Sequence, residues 1–180
     1  PSTYTYFKKN KSQNGLANSI VPENKALVSN PGYATLENVN DSNMGGTSIR
    51  YDSSKGNIPV STIDKEIKHF NINHVRLMKI DVEGFEIEVL KGAIKTIKKH
   101  KPLICIEIHT ARHFTKVLSA LSSNRYIVMD CLGLSPTYVL KTSQDYFLYR
   151  LAINTIWLLR ASIPTRYNKI RWYLRKIGQI

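Results

Sequence analysis

Two pairs of polar residues stand out in the chain, each pair two positions apart: Asp81 with Glu83, and Glu107 with His109. Carboxylates and imidazoles exchange protons near neutral pH, so a group of them at one place can serve acid–base chemistry. A spacing of two points both members of a pair to the same face wherever the backbone is extended. The same donors could bind a divalent cation, but no spacing here is distinctive of a metal site, and none is predicted.

The elements that must position these residues can be read from the apolar pattern. Val75, Leu77, Met78, Ile80 and Val82 form a short run dense enough for a strand buried on both faces. It runs into Asp81-Val82-Glu83-Gly84, where a glycine permits a tight turn. Ile87, Leu90, Ala93, Ile94 and Ile97 then recur at helical spacing, with Lys91, Lys95, Lys98 and Lys99 on the other face. Glu83, Glu86 and Glu88 near its start, and Lys98, Lys99 and His100 at its end, suit the helix dipole. Pro102 closes this single helix, and Leu103-Ile104-Cys105-Ile106 begins the next strand. A helix between two strands is a right-handed crossover, so the strands should be parallel neighbours. Ligands bind beyond the carboxyl ends of such strands, where Asp81, Glu83, Glu107 and His109 lie. Lys79 shares a face with Asp81 and is expected to pair with Glu107 across the sheet.

The words KIDVEGFEIEVLKGA and PLICIEIH resemble the C-terminal half of the FkbM family of S-adenosylmethionine-dependent methyltransferases. The resemblance covers about Ser2 to Leu148 and is sharpest from Ile80 to Ala93. It implies a Rossmann-like class I methyltransferase sheet of α/β class, N-terminally truncated, because the first two strands and the glycine-rich turn of the cofactor site are not found here. It implies S-adenosyl-L-methionine as cofactor, with Ala26 and Leu27 against the adenine and Asp81 facing cofactor and acceptor. Glu83 would be the base or bind an acceptor hydroxyl, with Glu107 and His109 as further catalytic candidates. The loop Asn43 to Ser48 resembles a glycine-bearing feature of the family.

Elsewhere the pattern predicts a helix after Pro1 ending at Asn14-Gly15, and a strand towards Val28. Short strands follow at Tyr33–Leu36 and from Ile58, then a helix over 65–70 with Asp64 as its N-cap. A helix over 111–122 precedes strands at Tyr126–Met129 and Tyr138–Leu140, with a last strand at Tyr146–Tyr149. One antiparallel strand in a mostly parallel sheet is what the family's fold requires. The predicted partition is 1–149 as a partial methyltransferase domain and 150–180 as a basic amphipathic helical tail.

With 180 residues, 42 % of them hydrophobic, the chain can bury a core. Its net charge of +13 raises the question of nucleic acid, but no recognised motif supports that partner. Cys105 and Cys131 read as buried free thiols in a reducing, cytoplasmic compartment. No apolar run reaches the roughly 18–20 residues that span a bilayer. From Tyr146 onward there is no acidic residue, and Trp157, Trp172 and Tyr173 accompany the basic ones. That composition suits peripheral contact with an anionic membrane, or packing on the sheet or a second subunit. Bare strand edges predict a homodimer or a covering segment. The leading expectation is O-methylation of a hydroxyl on a glycan or small metabolite. The contrasting one is a non-catalytic remnant acting as a binding or scaffold module.

Overall fold

The computed structural model describes residues 2–37, 48–51, 56–133 and 135–144. The loop 43–47, the strand expected at 146–149 and the tail 150–180 lie outside them. The described chain is a mixed α/β fold. Helix α1 (Ser2–Gln13) leads into a first sheet of four strands. These are β1 (Ala26–Leu27), β2 (Gly32–Glu37), β3 (Ser48–Tyr51) and β4 (Ile58–Ser61), in the order β1-β4-β2-β3. After α2 (Ile63–His69) come β5 (Leu77–Ile80), α3 (Glu86–Lys91), α4 (Ile94–His100) and β6 (Leu103–Glu107). Then α5 (Ala111–Leu121), β7 (Tyr126–Leu132) and β8 (Thr137–Thr142) complete a second sheet ordered β5-β6-β8-β7.

The expected parallel pair is present, with Leu77 opposite Leu103 and Ile80 opposite Ile106. β8 is antiparallel to both of its neighbours, the single reversed strand among the described residues of this sheet. Its core is formed on one face, where Met78, Ile80, Ile104, Ile106, Tyr138 and Leu140 meet Leu90, Ile97, Phe114 and Val117 from the helices. Tyr126 joins this core and donates its hydroxyl to Pro102 O at 2.7 Å, so the buried phenol is satisfied. Burial pushes its pKa up to about 12.

Three expectations change. β5 is not buried on both faces. Among the described residues it is an edge strand with alternating burial, and Leu77 is 56 % exposed. The single helix is two, because the chain steps at Gly92-Ala93. A Cβ on Gly92 would lie 2.1 Å from Val28 O, so the helix pair can sit on the end of β1 only with glycine there. Asp64 is not the N-cap of its own helix. Thr62 does that, accepting from Lys65 N at 3.1 Å. Asp64 instead reaches across to the start of α4, where it accepts from Lys95 N at 3.0 Å, and from Thr96 N at 2.8 Å and Thr96 Oγ1 at 2.7 Å. The cysteines, expected to be buried, are half-buried.

Candidate active site at the ends of strands β5 and β6

The β5–β6 register aligns Ile80 with Ile106, so the next residues, Asp81 and Glu107, come side by side where the strands end. Side-chain parity sends them to the sheet face opposite the core, along with Lys79. Asp81 and Glu107 lie close enough to share a hydrogen bond. Lys79 Nζ donates to Asp81 Oδ2 at 2.9 Å. His109 Nε2 lies 3.3 Å from Glu107 Oε1, and the Ser135 hydroxyl donates to the same oxygen. Four elements therefore meet here: both strand ends, the segment leaving β6, and the turn between β7 and β8.

The two carboxyls are driven apart electrostatically. The Lys79 ammonium bonded to Asp81 holds its pKa below the ordinary value. Glu107 is pushed up by burial and by the neighbouring Asp81 charge. Of the two, Glu107 is therefore the later to lose its proton as pH rises. Lys79 bonds to Asp81 rather than pairing with Glu107 as expected. The reason is local: the two sit two residues apart at the end of β5, on the face away from the core.

Glu83 does not join this group as the strand pattern suggested. β5 ends at Ile80, and Glu83 has a left-handed backbone (φ 47°), followed by Gly84 (φ 100°). A side chain in that turn no longer alternates with Asp81. Glu83 is exposed, and no hydrogen bond or ion pair involves it among the described residues. A non-glycine residue in the left-handed region is uncommon and concentrates at functional turns.

What holds the turn is Glu86, which looked like a helix-dipole charge. It is buried, and its Oε1 accepts from Gly84 N at 3.0 Å. Its Oε2 lies 3.9 Å from His113 Nδ1 at the start of α5. Ser135 also escaped the sequence. It lies 28 residues from Glu107 in a turn, and no local pattern marks it.

The cofactor candidates Ala26 and Leu27 form β1 and are half-buried. Ala26 packs on Val28, Ala34 and Val60, and Leu27 on the large core. No described interaction joins either to Asp81. Beyond them, Ser29 Oγ donates to Glu88 Oε2 at 2.5 Å, which ties the exit of β1 to α3.

The model of the Methyltransferase FkbM domain matches residues 1–128. A hexuronic acid methyltransferase, AglP, from Haloferax volcanii is 25 % identical over 124 residues, covering 66 % of this chain and 50 % of the relative. The chain thus spans about half the length of the curated relative it matches. No solved structure matches it significantly. Among the described residues, no helix is long and apolar enough to cross a membrane. With the family model spanning the sharpest motif, the acidic turn and both parallel strands, this chain belongs to the FkbM methyltransferase family.

Proposed function

We propose that the chain takes part in S-adenosylmethionine-dependent O-methylation of a hydroxyl on a glycan or small metabolite. The observation that carries this reading is the Asp81–Glu107 pair flanked by Lys79 and His109 at the parallel strand ends. The relative named for hexuronic acid makes a uronic-acid glycan the first acceptor to try.

The residues suit the cofactor chemically. S-adenosylmethionine supplies an electrophilic methyl on a cationic sulfur, and ionised carboxylates complement that cation and ribose hydroxyls. Asp81 is kept ionised by Lys79, and it adjoins a turn where a Cβ on Gly84 would meet nothing within 4 Å. Asp81 would hold the cofactor side, and the exposed Glu83 the acceptor.

His109 is the base in this reading. With Glu107 ionised and accepting from Nε2–H, the Nδ1 lone pair is available for the acceptor hydroxyl proton. As that proton moves to Nδ1, the hydroxyl oxygen becomes the nucleophile, and Glu107 stabilises the resulting imidazolium. Ser135 fixes the Glu107 oxygen to which His109 is bonded. Alignment of the reacting groups supplies much of the rest of the rate.

The test is calorimetric titration of the chain with S-adenosylmethionine, followed by a methyl-transfer assay on a hexuronic-acid glycan. We expect binding, and loss of about a hundredfold or more in turnover on His109→Ala. Failure to bind the cofactor, or full turnover by the variant, would sink the reading.

A further inference from the structure

A second feature lies on the other side of the β5–β6 layer, away from the carboxylates. Helix α4 turns Thr96 and Ile97 into the core and leaves Ile94, Lys95, Lys98 and Lys99 exposed. Helix α2 lies beside it and runs the same way. Asp64 touches Thr96 at the two N-terminal ends, and the His74 ring, just past α2, packs 5.9 Å from His100 at the far end of α4. Lys65 and Lys68 on α2, and Lys101 just past α4, extend the basic surface.

None of Lys65, Lys68, Lys95, Lys98, Lys99 and Lys101 takes part in an ion pair among the described residues. The nearby acids are already committed. Asp64 is bonded to the start of α4, Glu66 to Ser61 and Lys25, and Glu88 to Ser29 and Lys91. Asp64, bonded to neutral donors, leaves one negative charge here against six lysines, so the face keeps a large positive excess. It is also not purely polar: Ile94 is 57 % exposed among the lysines, and Phe70 and Ile72 are exposed where α2 ends.

We infer that the α2–α4 face docks on an anionic lipid surface. Lysine clusters are drawn to anionic headgroups, and apolar side chains set among them enter the headgroup–acyl boundary. Duplex nucleic acid would use the charge but gives no role to an exposed isoleucine between lysines. Because α4 packs on the core face while Asp81 and Glu107 lie on the other, docking leaves the carboxylate site open to an acceptor. This inference does not depend on the reaction proposed above.

The test is co-sedimentation of the full chain with phosphatidylcholine vesicles, with and without phosphatidylglycerol. Binding is expected only with the anionic lipid and should weaken as salt is raised. Combined Lys95→Gln, Lys98→Gln and Lys99→Gln should lower partitioning about a hundredfold, counting about fivefold for each lysine. Ile94→Asp should lower it as well without altering the circular dichroism spectrum. A control combining Arg171→Gln, Arg175→Gln and Lys176→Gln probes the other basic cluster of the sequence. The inference is overturned if the triple lysine variant partitions like the wild type, or if only the control loses binding. Equal binding to neutral vesicles, or retention on duplex DNA with no vesicle binding, would overturn it too.

Discussion

Two aspartates illustrate how differently this chain uses the same side chain. At the α2–α4 junction, Asp64 faces only donors: two backbone N–H groups and the Thr96 hydroxyl. At the strand ends, Asp81 has one donor in Lys79 and a second carboxyl, Glu107, beside it. The first arrangement satisfies orphan helix amides and stabilises the fold. The second sets the exposed Asp81 beside the more buried Glu107, two like charges that oppose folding when both ionise. A carboxylate ringed by donors is there for structure. One set against another carboxylate points to chemistry, since nothing in the packing requires it.

The sharpest way to break this contrast is to remove one carboxyl from each place. Glu107→Gln should cut methyl transfer about a hundredfold or more while leaving the melting temperature unchanged or raised, because it relieves the charge pair. Equal loss of stability and activity would make the pair structural. Gly92→Ala should destabilise the junction by about 3 kcal/mol or more in denaturant melts, since the new methyl meets the Val28 carbonyl and not a flexible side chain. Asp64→Ala should cost about 2 kcal/mol in the same measurement, and the variant should retain its cofactor affinity.

The smallest effect concerns the proton of the pair. Carbon-13 NMR of the carboxyls should show Asp81 titrating below its ordinary value of 3.8 and Glu107 above its ordinary 4.5. The signs follow by linkage. Asp81, lowered in the fold, stabilises above 3.8, and that contribution is lost as pH falls through its folded value. Glu107, raised in the fold, does the reverse: its ionisation costs stability as pH rises from 4.5 through its folded value. Lys79→Met should move Asp81 back up, and no movement would remove Lys79 from the site.

Much of this was legible in the chain. The apolar runs at 75–82 and 103–106 announced two parallel strands, and spacing of two flagged Glu107 with His109 correctly. The same spacing misplaced Glu83, because strand parity holds only while the backbone stays extended, and it leaves that state after Ile80. Helical periodicity ran through Gly92 without a break, since periodicity cannot register a carbonyl from another strand pressing on one residue.

By itself, then, the sequence determined most of the strand and helix segments, the gathering of Asp81, Glu107 and His109 at strand ends, and the family word from Ile80 to Ala93. Those are local properties, set by side-chain period, turn residues and capping chemistry. Tertiary structure decided the pairings. It set Lys79 on Asp81, brought Ser135 to Glu107, turned Asp64 into the cap of a distant helix, and buried Glu86 beneath the acidic turn. The Ser135 and Asp64 contacts depend on strand register and helix packing over long separations, while the Lys79 and Glu86 contacts are near in sequence but take their geometry from the end of β5 and the turn after it.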